Sequence, residues 1–238
     1  MNLYPTAEHP CSYLPAQLAR EAVIDPARAL TPARYQELLA LGFRRSGPYA
    51  YRTACRACQA CIAVRIPLQH PLALRRRHRR VLRRNADCDV RMVAGRMQRE
   101  HRLLYDRYLD GRHEHSGMRE LTADDLLDPA GQLSCLCEIR CRGQLLGYTV
   151  VDCTPDAWSA VYTVFEPDEA ARGLGNFAIL QTHRLARAAG ADFLYLGYWI
   201  DQAQQMSYKT DYRPLQAYVN DQWKPFADIK RFDDNAPP

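Results

Sequence analysis

The stretch from Trp158 to Lys209 constrains this chain more than any other. It reads as a core strand (WSAVYTVF), a loop carrying Arg172-Gly173-Leu174-Gly175, a helix (NFAILQTHRLARAAG), a buried strand (DFLYLG), and then Tyr198-Trp199-Ile200 leading to Tyr208-Lys209. That order is the heart of an acyl-transfer fold. A strand followed by a glycine loop that opens a helix aims backbone N–H groups at whatever sits there, and the helix dipole favours negative charge at the same spot. An acyl donor that carries phosphate is therefore expected.

At 238 residues the chain is near the upper limit for one core, so one large domain or two smaller ones sharing an interface is expected. The start MNLYPTAEHP has neither a basic lead nor an apolar segment, and no run approaches the ~18 apolar residues of a membrane span. A cytoplasmic protein without a membrane partner is expected. Nine cysteines, an odd number without an export signal, point to thiols or metal ligands rather than a disulfide framework. The net charge of +5 is uneven: residues 1–100 hold 18 Arg against 7 acidic residues, and the remainder 14 Lys or Arg against 20. The two parts are expected to have different partners.

The punctuation divides the chain at about residue 95. Residues 1–95 form a Cys-rich, Arg-rich region: a proline-rich start, a helix opened by Thr31-Pro32 and stopped at Gly42, strands at 49–54 and 64–68, a basic helical segment over 72–84, and a strand at 88–93. Residues 96–238 form an acyltransferase-like domain. It opens with a long helix from Met97 and a short acidic helix, and continues with strands SCLCEIR, LLGYTVVD and WSAVYTVF, helix 175–189, strand 193–197 and a last strand pair around Asn220-Asp221. The fold class expected is α+β, an N-terminal α/β region joined to a mixed sheet of the N-acyltransferase (GNAT-like) kind with flanking helices.

Three constellations carry chemistry. Arg75, Arg76, Arg77, Arg79, Arg80, Arg83 and Arg84 put seven Arg in ten positions around a small apolar seam of Leu74, Val81 and Leu82, with no acidic residue between them. Such crowding destabilises a helix unless a polyanion is present, and nucleic acid is the natural partner. Cys55, Cys58 and Cys61 form two overlapping C-x-x-C units, with Cys11 as a fourth member; this spacing suits one Zn²⁺ or an iron–sulfur cluster, and equally buried free thiols. The Arg172 loop is similar to the CoA loop of N-acyltransferases at Arg172 and Gly175. It departs at Phe177, whose ring is expected to crowd the pyrophosphate path.

Several longer stretches together resemble the bacterial leucyltransferase branch of the arginyl-tRNA protein transferase family. They are His9–Pro15, Gly42–Gly47, Tyr51-Arg52, Cys55–Pro67, Arg112-His113, Ser116–Met118, Ser159–Thr163, Leu194–Ile200 and Met206–Lys209. The resemblance implies transfer of leucine from leucyl-tRNA to proteins that begin with Asp or Glu, marking them for degradation, with no organic cofactor. Two departures stand out: Leu14 where eukaryotic relatives have a second cysteine, and Ser116 where Gly is expected.

An N-terminal α-amine, with a pKa of about 7.7–8.0, is partly neutral at cytoplasmic pH, so no strong general base is required. Proximity, oxyanion donors and a proton for the ribose oxygen suffice. Tyr162, Tyr198, Asp201 and Lys209 are the expected catalytic groups, because they fall at or beyond the ends of the central strands. Arg44, Arg45, Arg112 and Lys209, with His113, are the groups expected to read the acidic side chain. Arg75, Arg76, Arg79, Arg80, Arg83, Arg84 and Arg172 are expected on tRNA, and Cys11, Cys55, Cys58 and Cys61 on metal. A CoA-dependent N-acetyltransferase and a non-catalytic zinc-containing RNA-binding protein are the alternatives.

Overall fold

A computed structural model of the protein describes residues 2–25, 30–112 and 121–228. The first third carries short elements: β1 (Leu3–Pro5), β2 (His9–Pro10), β3 (Leu18–Ala19), β4 (Glu21–Ile24), α1 (Pro32–Ala40), β5 (Arg44–Ser46) and β6 (Tyr49–Thr53). The remainder carries β7 (Ile62–Pro67), α2 (Arg76–Arg84), β8 (Cys88–Ala94), α3 (Arg99–Arg112), β9 (Ser134–Cys141), β10 (Gln144–Cys153), β11 (Ala157–Phe165), α4 (Leu174–Ala188), β12 (Phe193–Trp199), β13 (Gln216–Val219) and β14 (Gln222–Pro225).

β1, β4, β6 and β5 form an antiparallel four-stranded sheet in that order, and β2 pairs with β3. The proline-rich start thus holds four strands that the sequence did not announce, because two- to four-residue strands show no periodicity. α1 begins and ends where expected: Thr31 Oγ1 accepts the Arg34 N–H at 3.3 Å, Pro32 takes the first turn, and Gly42 leaves it at φ +79°.

The large sheet is mixed and eight-stranded, in the order β14-β13-β7-β12-β11-β10-β9-β8. Only β11 and β12 run parallel, joined by the crossover helix α4, and every other neighbouring pair is antiparallel. Residues 62–94, expected in the first region, supply β7 near its centre and β8 at its edge, so the sheet does not respect a division at residue 95. All six residues of β7 are buried, as a central strand requires. A short run ended by Pro67 reveals burial but not its neighbours.

Each face of this sheet has its own core. Cys137, Ile139, Val151 and Leu194 meet Phe177, Ala178 and Leu180 of α4 and Val81 of α2. Leu136, Tyr148, Val150 and Val164 meet Leu104, Tyr105 and Tyr108 of α3 on the other side. A third cluster seals α1 and the small sheet onto the large one through Tyr35, Leu38, Leu39, Phe43, Ala157 and Tyr195. Among the described residues, no helix is long and apolar enough to cross a membrane.

The joint between the sheets contains a buried ion pair. Arg45 of β5 donates through Nε and Nη2 to both carboxylate oxygens of Asp152 on β10, each at 2.7 Å, and neither side chain is exposed. Its remaining hydrogens reach Gly47 O, Leu126 O and Ser134 Oγ at 2.8, 3.0 and 3.1 Å. Arg45→Ala strands the Asp152 carboxylate in the interior, and we expect a loss of about 3–5 kcal/mol in urea denaturation. A loss below about 1 kcal/mol, the scale of an exposed pair, would show that this contact does not hold the sheets together.

Candidate active site

β11 and β12 pair only through Ala157↔Phe193, Trp158↔Leu194 and Ser159↔Tyr195, although both strands continue. Both are irregular just beyond that point. The β10–β11 register shifts between Val150 and Val151, opposite Tyr162 and Ala160, and the β12–β7 register shifts between Tyr195 and Gly197. Such shifts bend a strand away from its neighbour. The two parallel strands therefore part toward their C-terminal ends, which is the candidate cleft.

Gly197 shapes one wall of the cleft. Its φ of +77° suits glycine, and a Cβ there would lie 2.6 Å from Cζ of Arg44, so the missing side chain is the berth of that guanidinium. Arg44 is half-buried, with Cζ 5.5 Å from the centre of the Tyr198 ring. Burial opposes its charge, but the phenols of Tyr51, Tyr13, Tyr198 and Tyr35 outweigh that and hold its pKa above the ordinary arginine value. No described carboxylate pairs with it.

Lys209 completes the cationic wall. It is 3% exposed and donates to the Tyr198 carbonyl. Burial and then Arg44 push its pKa well below the usual lysine value, against a smaller opposite pull from Cys61. The β11 wall is aromatic. Tyr162 meets Tyr105 and Tyr108 edge-on at 6.4 and 6.2 Å, and its hydroxyl is buried without a hydrogen-bond partner among the described residues. Burial, with Tyr108, Tyr105 and Tyr13 adding to it, raises the Tyr162 pKa.

The other expected groups separate. The Tyr198 hydroxyl donates to Gly42 O at 3.2 Å, and burial raises its pKa, so this phenol is already engaged. Asp201 is exposed on the turn after β12, with no side-chain partner among the described residues. Arg45 is committed to Asp152 and does not face the cleft. The Arg112 side chain and His113 lie outside what the structure describes, as does Ser116. Phe177 is 2% exposed in the core, so it does not crowd the start of α4 as expected.

Arg172 is also committed. It pairs with both oxygens of Asp87 at 2.8 and 3.1 Å and with Glu169 at 3.0 Å, and donates to Arg84 O. On α2 the buried residues are His78 and Val81, while Leu74, expected in the seam, is 38% exposed. Arg75 and Arg77 pair with Asp211, Arg79 donates to Leu74 O, and Arg84 donates to Ala171 O. Arg76, Arg80 and Arg83 remain exposed and have no partner among the described residues. Their spacing of four and three residues puts them on one face.

Cys11, Cys55, Cys58 and Cys61 are half-buried free thiols. Burial, followed by Cys55, Cys11 and Cys58, pushes the Cys61 pKa up to about 12, as expected where thiols crowd together. No three of their sulfurs lie within 4.8 Å of one another. A tetrahedral zinc with bonds of about 2.3 Å needs them closer, so the side chains would have to turn inward around an ion.

Tyr13, Tyr51, Tyr208 and Gly197 were not singled out from sequence. All four sat inside quoted motifs, and an isolated Gly in a strand pattern does signal a bulge or close approach. Nothing in the local sequence reveals which guanidinium makes that approach.

Comparison with known proteins gives this geometry a family. Residues 9–80 match the family described as Arginine-tRNA-protein transferase, N terminus, and residues 100–219 match its C terminus. An aspartate/glutamate leucyltransferase of Hahella chejuensis is 43% identical over 223 residues, covering 92% of this chain and 95% of that protein. One from Stenotrophomonas maltophilia is 44% identical over 237 residues, covering 96% and 94%. Among solved structures, L-PGS from Bacillus licheniformis superposes with a TM-score of 0.48 at 13% identity, covering 71% of this chain and about half (49%) of that one. The matches to both family halves and the similarity to leucyltransferases over nearly the whole chain establish that it belongs to the arginine-tRNA-protein transferase family, among the aspartate/glutamate leucyltransferases.

Proposed function

We infer that this enzyme moves leucine from leucyl-tRNA to the N-terminal α-amine of proteins that begin with Asp or Glu, marking them for degradation. The observation that carries the site assignment is the unpaired Arg44 guanidinium in the berth left by Gly197, beside Lys209. The parallel β11–α4–β12 unit, with strands that part at their C-terminal ends, supports an N-acyltransferase-like fold.

The two cations have different work. Arg44 stays charged and reads the acceptor's carboxylate; Asn or Gln in its place leaves a desolvated cation unpaired. Lys209, neutral more readily than an ordinary lysine, takes a proton from the attacking amine. Nitrogen adds to the ester carbonyl, the carbon–oxygen bond to ribose breaks, and the Lys209 ammonium returns its proton to the departing ribose oxygen. Strand edges left unpaired beyond Ser159 and Tyr195 offer backbone donors to the tetrahedral oxyanion. The aromatic wall at Tyr162 suits the leucyl group and terminal base.

We expect Arg44→Met to lower transfer to Asp-starting and Glu-starting peptides about 100-fold or more, several kcal/mol, without changing leucyl-tRNA binding. Wild-type rejection of Asn-starting peptides by this variant would move the reading of charge elsewhere. Lys209 must be neutral to accept a proton, so single-turnover rates rise with pH through its lowered pKa. Lys209→Met should slow transfer and leave only the rise from the acceptor amine, near pH 7.7–8.0. An unaltered profile would remove Lys209 from proton transfer.

For α2, the free stripe rather than the whole run is the tRNA contact. The triple change of Arg76, Arg80 and Arg83 to Glu should weaken tRNA binding and flatten its salt dependence, by roughly 0.7–0.9 in log-log slope per lost phosphate contact. Unchanged slope would place the tRNA elsewhere.

The four cysteines, as soft donors on the β2–β3 hairpin and the β6–β7 loop, are proposed to hold zinc or an iron–sulfur cluster, which would clamp Tyr13 beside Arg44. Protein prepared without oxygen or chelator should carry metal by elemental analysis, and Cys58→Ser should lose it. Metal-free protein with full activity would make these structural thiols.

A further inference from the structure

Asp211 stands between the basic helix and the cleft. Its side chain is 9% exposed, accepts from Arg75, the residue capping α2, and forms an ion pair with Arg77 in the first turn. Tyr212, next in the chain, is fully buried and stacks on the buried His78 of α2 at 5.0 Å and 11°. Its hydroxyl donates to Asn176 Oδ1 of α4 at 2.7 Å, and the Ala73 N–H donates to Arg213 O at 2.7 Å. Two residues before Asp211, Lys209 reaches the Tyr198 carbonyl. One short helical segment, Gln204–Asp211, is thus fastened to α2 at its end and to the cleft through Lys209.

These ion pairs are a poor investment in stability. Arg75 is 53% exposed, and contacts of such groups contribute little, while Arg77 keeps Nε and Nη2 buried without a hydrogen-bond partner among the described residues. They also withdraw two cations from a helix whose free arginines face a polyanion. Buried packing of His78 on Tyr212 already holds the segments together, whereas the carboxylate fixes their register, the best-attested use of such pairs.

We propose that Asp211 is a positioning residue for the transfer step, aligning the helix that holds tRNA with the Lys209 side of the cleft. This rests on the assignment of α2 to tRNA and of the cleft to transfer. Neither binding event needs the carboxylate itself; the reaction needs both substrates in one geometry, and misplacement by about 1 Å can cost on the order of 100-fold in rate.

The test is Asp211→Asn in the full chain, which keeps volume and acceptor capacity but removes charge. Dissociation constants for leucyl-tRNA and for an Asp-starting peptide should stay within about twofold of wild type, while the saturated single-turnover rate falls about tenfold or more. Asp211→Glu should recover part of that rate. A wild-type rate in Asp211→Asn overturns the proposal, and so does a rate loss accounted for by weaker binding of either substrate. Should circular dichroism show that Asp211→Asn is unfolded, the Arg75→Gln/Arg77→Gln variant is read in its place. Slow transfer with unchanged peptide binding supports the proposal, and a wild-type rate overturns it. Failure of the underlying assignment is separate, since it appears in wild-type protein that does not bind leucyl-tRNA or whose binding ignores Arg76, Arg80 and Arg83.

Discussion

The buried pair of Arg45 and Asp152 is the contact on which the cleft depends. It fixes β5 against β10, and successive strand residues point to opposite faces. With Arg45 locked inward, Arg44 must emerge on the other side, over Gly197 and the ring of Tyr198. Two adjacent arginines, equivalent in composition, thus receive opposite fates. One is neutralised and holds the sheets together, and the other is presented without a carboxylate partner among the described residues.

The same environment then divides the cleft's cations. Desolvation works against both Arg44 and Lys209, but a guanidinium starts so far above neutrality that it stays charged. An ammonium starts lower, and the fixed guanidinium beside it pushes in the same direction as burial. The roles proposed for them, a fixed charge for recognition and a titrating amine for proton transfer, rest on placing an arginine and a lysine together. Exchanging their identities would lose both properties.

Much of this architecture was legible in sequence. The crossover β11–α4–β12, the antiparallel strands β9 and β10 before it and the cap of α1 were visible because each has a clear period or a specific turn residue. The strands before residue 25 were not, being too short for any period. The membership of β7 and β8 in the large sheet was hidden for another reason: pairing is decided by partners distant in the chain, and burial patterns do not name them. The site divided in the same way. Lys209 and Tyr162 were singled out by position at the strand ends and Arg44 by its motif, while Arg45 and Arg172 were grouped with functional residues because their acidic partners, Asp152 and Asp87, lie 107 and 85 residues away.

The basic run shows why counting charges overstates an interface. Seven arginines in ten positions suggest a uniformly cationic helix, yet a helix packed against a sheet has one face for its core and another for solvent. Arg75 and Arg77 are drawn to Asp211, and Arg79 and Arg84 are tied to backbone carbonyls, which leaves Arg76, Arg80 and Arg83 as the stripe free to meet phosphates. In the proposed arrangement Arg75 and Arg77 still serve that stripe, because their pairing with Asp211 ties the helix to the segment that carries Lys209. A polyanion bound to three fixed cations arrives in one orientation, whereas one bound to seven mobile cations would arrive in many. For a reaction that joins an ester at the end of a long nucleic acid to an amine in a narrow cleft, the orientation of the helix matters more than the size of its charge.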